Sequence, residues 1–292
     1  MPDWLSLDND RLRLRISPRG GAIVDGYTND GRPFLRPYQG KGAFDVAASA
    51  CFPLVPVGNR IEGNAFSFRG RSFALVPSAF DPLYIHGEGW LGIWRVEAQR
   101  EDCVELVFDK PEGEGSPFAY RARQSFRLAG ARLDLTMSVT NKGETALPFG
   151  LGFHPYFPRT PRTTLVAPAS GWWSERDGHL PGERIALGED VDFSTPRRLP
   201  ERWLNNGFEG WSGIARIVWP EHGLGLDIEA SRALGRYMLY APDSDRSSVC
   251  FEPMSHTPNA LKHVDTDPMG LKILSPGESF DAGFAMTVFD LE

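Results

Sequence analysis

Long apolar runs are missing from this chain of 292 residues; none approaches the roughly 20 residues a membrane-spanning helix needs. The opening stretch, Met1-Pro2-Asp3-Trp4-Leu5, has neither the basic nor the apolar region of a secretory leader, and no Asn-x-Ser/Thr sequon occurs. Cysteine is scarce and odd in number: Cys51, Cys103 and Cys250 lie far apart, each in an apolar setting. That pattern argues against a disulfide framework and predicts reduced core thiols in a cytoplasmic protein. A surplus of positive charge is also lacking. The formal net charge of −7 disfavours nucleic acid or an anionic membrane as a partner. Helical periodicity is scarcer still, with only Arg197 to Leu204 offering a turn or two of helix. What remains is a 41% hydrophobic chain, enough for a sizeable core.

Period two dominates instead. Arg11 to Ile16, Val104 to Phe108, Leu133 to Val139, Ile214 to Trp219 and Leu224 to Ile228 all alternate or read as strands. Turn signals separate such runs: Pro18 to Gly21, Asn29-Asp30-Gly31, Asn141-Lys142-Gly143, Glu221-His222-Gly223 and Pro276-Gly277. With 31 Gly and 24 Pro as punctuation, this predicts an all-β protein of antiparallel sheets packed as a large sandwich. No linker or internal repeat interrupts it, so residues 1–292 read as one domain. Residues 34–64 and 155–212 lose the alternation and are expected to be long functional loops.

Titratable residues in apolar company stand out against this background. His154 follows Leu147 to Phe153 and precedes Pro155, which restricts it to an extended backbone at a strand end. Glu252 ends the run Ser248 to Phe251 before Pro253. Counting in twos places it on the face of Cys250, where desolvation would raise its pKa toward that of a useful general base. His86 precedes Gly87, whose missing side chain lets backbone approach a ligand, and Arg60 follows Asn59 with a fork of donors suited to paired hydroxyls. Each also has a plain structural reading: a carbonyl-bonded histidine, an ion-paired glutamate, a loop histidine or a surface arginine.

Taken as an ordered set, these segments resemble the aldose 1-epimerase (galactose mutarotase) family. The resemblance covers most of the chain. It runs from Asn59-Arg60-Ile61 with Phe66 to Gly70, through His86-Gly87 with Trp94, then Gly152-Phe153-His154-Pro155-Tyr156-Phe157, to Glu252-Pro253 with Pro258-Asn259-Ala260. It implies a galactose mutarotase-like β-sandwich, needing neither metal nor organic cofactor, that acts on a small monosaccharide as a monomer or homodimer. His154 would be the general acid and Glu252 the general base; Asn59, Arg60 and His86 would bind the sugar. One departure concerns a Leu-Asp-x-x-Phe stretch common in the family. Here the run is Leu204-Asn205-Asn206-Gly207-Phe208, so Asn205 would bind hydroxyls without a charge, which weakens any expectation of galactose preference.

Four other readings compete. A glycosidase pairing Glu252 with Asp243 or Asp245 needs only two carboxyls at the right separation. His86, His154, His256 and Glu252 have the residue types of a metal site, though without short ligand spacing. Trp172, Trp173, Trp203 and Trp211 would suit a non-catalytic sugar-binding module. Arg60, Arg69 and Arg71 would suit a sugar-phosphate epimerase, unless Arg69 and Arg71 only flank Gly70 at a hairpin tip. Gly113-Glu114-Gly115 lacks the rest of a dinucleotide loop, and Gly210-Trp211-Ser212-Gly213 is no nucleophile elbow.

Overall fold

The structure, a computed structural model, describes residues 4–78, 80–113 and 115–292. Two large antiparallel sheets carry it. Nine strands form one, with Arg132–Asn141 and Ser279–Asp290 near its middle; eight strands form the other, with Leu204–Glu209, Arg236–Ala241 and Ser248–Met254 as neighbours. The alternation in sequence becomes alternation in burial. Along Tyr120–Ala129, every second residue from Tyr120 to Leu128 is buried and those between are more exposed. The buried faces of the two sheets meet, as where Phe153 packs on Phe284 with ring centroids 4.9 Å apart. Among the described residues, helix is confined to 3₁₀ turns of three or four residues, and no helix is long and apolar enough to cross a membrane. All three cysteines are buried and free, as expected.

Two expectations need correcting. The stretch from Arg197 to Leu204 is not helical. Arg197–Arg198 pairs as a short strand with Thr164–Val166, and Pro200 lacks the N–H that a continuing helix would need. Residues 155–212 are also not mainly loop, because they contain strands such as Gly171–Arg176, Leu180–Ile185 and Leu204–Glu209. These escape a period-two reading because they are covered on both faces or on neither; Leu204 to Phe208 are buried without a break. Residues 34–64 do contain little regular structure, two two-residue strands and two 3₁₀ turns. The predicted hairpin is present, with Ala65–Phe68 paired to Arg71–Ala74 across Arg69-Gly70.

One irregularity positions the site. Ser248–Met254 runs past Pro253, beyond the end read at Glu252, and every residue in it is buried. On one side it pairs continuously with Arg236–Ala241. On the other, Met254 pairs with Gly152 and Cys250 with Tyr156, leaving the ladder open opposite His154-Pro155. Two prolines thus face a gap in mid-sheet, the kind of place where a residue without an N–H is tolerated. Gly152 is small by necessity, since a Cβ there would come within 2.9 Å of the Pro253 carbonyl oxygen.

Candidate active site

At this gap a cavity of about 290 Å³ opens, and all six residues singled out in the sequence line it: Asn59, Arg60, His86, His154, Asn205 and Glu252. His154 leaves the strand Gly152–Phe153, as its proline predicted, and its backbone N–H donates to the Phe52 carbonyl at 2.9 Å. Glu252 and Cys250 share the face of their strand opposite Val249 and Phe251, which pack in the main core. His154 Nε2 and Glu252 Oε1 are 3.2 Å apart, with only 6% and 2% of the two residues exposed. The second polar atom of each, His154 Nδ1 and Glu252 Oε2, is buried without a hydrogen-bond partner among the described residues.

Burial decides the charge of this pair. It raises the Glu252 carboxyl to about 8, against a smaller downward pull from Arg60. It also drives the His154 imidazole well below its usual value, reinforced by His86 and Arg36. Near neutrality burial thus favours the uncharged form of each group, with one proton on the carboxyl beside His154 Nε2. An unpartnered Oε2 suits this neutral form, since an ionised oxygen buried without a partner is costly. The two groups titrate as a unit.

His154 is packed among aromatic rings. It lies 4.4 Å from Phe52 and 4.8 Å from Tyr156, which are themselves 6.3 Å apart, and Phe52 stacks in turn on Trp90 at 5.2 Å. The Arg36 guanidinium sits over Tyr156, 3.4 Å from its ring centroid. It is anchored by the Ala47 and Ser49 carbonyls. Close packing of this kind restricts the imidazole and so the direction of Nε2.

His86 stands beside His154, with ring centroids 5.1 Å apart. Arg60–Ile61 and Tyr84–Ile85 pair as two short strands; Asn59, just before the first, and His86, just after the second, have left-handed backbone with φ of 60° and 62°. The Asn59 backbone N–H donates to His86 Nδ1 at 3.1 Å. With Nδ1 accepting, Nε2 carries the imidazole proton and serves as a donor. Burial, with a contribution from Arg60, lowers the His86 pKa to about 3, so the donor is neutral. Arg60 is held by Asp81, Nη2 to Oδ2 at 2.8 Å.

The competing readings fare differently. Asp243 and Asp245 are exposed and do not line the cavity; Asp245 caps the Ser247 N–H at 2.9 Å. His256 belongs to the scaffold, with its Nε2 accepting from the Gly58 N–H at 2.9 Å and Ser255 Oγ 3.1 Å from Nδ1. Cys250 takes its place beside His154 and Glu252, with ligand atoms within 4.8 Å of one another. Of the four tryptophans only Trp203 lines the cavity; Trp211 is core and Trp173 is bonded to Glu209. Arg69 and Arg71 sit at the hairpin tip, away from the cavity.

Sequence reasoning missed Asp81, Glu175 and His179. Asp81 and His179 line the cavity, and Glu175 stands just behind it. Nothing local in the sequence marks them, since each acts through a partner brought near by the fold. A larger hollow of about 650 Å³ lies over the nine-stranded sheet, lined by residues such as Glu105, Arg123, Asp134, Thr136 and Asp281. None of the sequence-derived site residues borders it.

Comparison with known proteins agrees with this picture. The uncharacterized protein YphB of Escherichia coli (strain K12) is 39% identical over 291 residues, covering 97% of this chain and 98% of its own. A crystal structure of an Escherichia coli K12 protein provisionally assigned as an aldose 1-epimerase superposes with a TM-score of 0.92. It is 38% identical and covers 99% of each chain. A galactose mutarotase-like protein from Clostridium acetobutylicum shares the fold, with a TM-score of 0.85, 20% identity and coverage of 99% and 95%. The aldose 1-epimerase family model matches residues 3–287. The family model and the whole-length likeness show that the chain belongs to the aldose 1-epimerase family.

Proposed function

We propose that the protein interconverts the α and β anomers of a free aldose by opening and closing the sugar ring. The observation that carries this reading is the 3.2 Å contact between His154 Nε2 and Glu252 Oε1 at the cavity floor. Ring opening needs a base at the anomeric hydroxyl and an acid at the ring oxygen. Both oxygens are bonded to the same carbon, so the groups serving them must be neighbours. His154 and Glu252 meet that requirement.

The pair starts with one proton. Its transfer from Glu252 to His154 across their contact gives a carboxylate and an imidazolium with no uptake from solvent. Glu252 then takes the proton of the anomeric hydroxyl while His154 Nε2 gives its own to the ring oxygen. The C1–O5 bond breaks and a C1 aldehyde forms. Rotation about C1–C2 turns the other carbonyl face inward, and the reverse transfers close the ring as the opposite anomer. No electrons change hands. Each positioned proton transfer contributes typically about 10²–10⁴-fold in rate, enough for a reaction that already proceeds in water. His86 Nε2–H supplies a neutral donor to a sugar oxygen. Arg60, steadied by Asp81, supplies a forked one, and Asn59 lines the same wall.

Polarimetry on freshly dissolved α-D-glucose and α-D-galactose tests this directly. The purified protein is expected to shorten the approach to equilibrium rotation in proportion to its concentration. A rate equal to buffer alone for glucose, galactose, xylose and arabinose would refute the reading.

A further inference from the structure

The wall opposite His154 and Glu252 is organised around a carboxylate that does not itself line the cavity. Glu175, on the strand Gly171–Arg176, accepts from Trp203 Nε1 at 2.6 Å and Asn205 Nδ2 at 2.9 Å, and lies 2.6 Å from His179 Nδ1. Trp203, Asn205 and His179 all line the cavity in front of it. Burial pushes the Glu175 carboxyl up, but hydrogen bonds from Asn205, His179 and Trp203 together hold it below the usual glutamate value, so it is ionised.

Two consequences follow from that bonding. An ionised carboxylate only accepts, so Asn205 must turn its N–H₂ toward Glu175, which leaves Oδ1 as the acceptor for a sugar hydroxyl. The distance across the sheet is also informative. Asn205 pairs with Tyr240 and Tyr240 with Cys250, while Glu252 lies two residues further along. At strand spacings of about 4.8 Å and rises of about 3.3 Å, Asn205 and Glu252 are on the order of 12 Å apart at Cα, the two ends of one bound monosaccharide. Arg60, the one arginine or lysine lining the cavity among the described residues, is already paired with Asp81 at 2.8 Å. A negatively charged substituent at the distal end would therefore meet Glu175 with no unpaired arginine or lysine in the cavity lining to offset it.

Building on the mutarotase reading, we propose that Glu175 is a positioning residue that sets selectivity. It fixes Asn205 and Trp203 for the hydroxyls at the end of the ring away from C1, and its charge turns away sugars with a phosphate or carboxylate there. The substrate class is thus an uncharged aldose.

Anomer exchange measured by NMR at equilibrium, at pH 7.5, compares D-glucose with glucose 6-phosphate. For the wild-type protein KM is expected to be at least about tenfold higher for the phosphate, and the gap should shrink as salt is raised and the charge is screened. Glu175→Gln should raise KM for glucose by about five- to tenfold with kcat within about threefold, and should narrow the gap between the two sugars to about threefold or less. Glu175→Asp should restore the salt dependence. Equal KM values for the two sugars in the wild type, or an unchanged gap in a folded Glu175→Gln protein, would overturn the inference while leaving mutarotation standing. If neither sugar is turned over, the mutarotase reading fails by itself. The ratio of the two affinities from titration calorimetry then decides the role of Glu175: a ratio of about ten supports it and a ratio near one refutes it.

Discussion

In the proposed mechanism Glu252 and His154 divide one task, and single substitutions should expose the division. Glu252→Gln keeps the size and some of the bonding but cannot take the anomeric proton; His154→Asn removes the titrating ring. Each is expected to lower kcat by about 10²–10⁴-fold in polarimetry, and the double variant should lose little more than either single one. Asn205→Ala should act on KM with kcat nearly kept, since in the proposed mechanism Asn205 meets sugar hydroxyls and not the reacting atoms. The shared proton also fixes the pH profile. Carboxylic acid with imidazole and carboxylate with imidazolium have the same proton count, so activity follows that count rather than the state of either residue. With Glu252 raised to about 8, kcat/KM is expected to fall above about pH 8 as the proton is lost. A profile that instead rises through pH 8 would mean that the pair does not work with a shared proton.

Strands, turns and the gap between them bring these residues together, and at this scale the sequence was only partly legible. Runs with one buried face, such as Ile214–Trp219 and Arg132–Asn141, were readable because their alternation is the fold's own two-sidedness. His154-Pro155 and Glu252-Pro253 were readable as extended segments with a constrained direction. Their meeting was legible only through the family resemblance, because it depends on Ser248–Met254 changing partners between Tyr156 and Gly152. Glu175 was opaque for a similar reason, since its link to Asn205 spans 30 residues and exists only once Gly171–Arg176 pairs with Leu204–Glu209. The His86 turn offers a local test. Gly87 has φ of 71°, and a Cβ there would come within 2.2 Å of the Val55 carbonyl oxygen. Gly87→Ala is expected to destabilise the protein by about 1–3 kcal/mol, read by thermal or urea unfolding, and to raise KM by displacing His86.

Across the whole molecule, the buried titratable groups set two opposed pH dependences. His86 and His256, held near 3 and 4, and His154, held below its ordinary value, stay neutral when folded but protonate near 6.5 when unfolded. Their contribution is present above pH 6.5 and is lost as pH falls through the folded values. Glu252 has the other sign. Its contribution is complete below about 4.5 and is lost as pH rises toward 8. Stability from urea unfolding should therefore peak near pH 6.5. The gain of Glu252→Gln over wild type should grow by roughly 2–4 kcal/mol between pH 5 and pH 8; a constant difference would show that Glu252 is not buried as a neutral acid. The burial of the Glu252 carboxyl, only 2% exposed, has a last consequence. A library of variants screened only for surviving heat should discard glutamate at position 252 in favour of apolar side chains of similar size. The same library screened for sugar turnover should return it every time, so position 252 records what the protein is for rather than how it stands up.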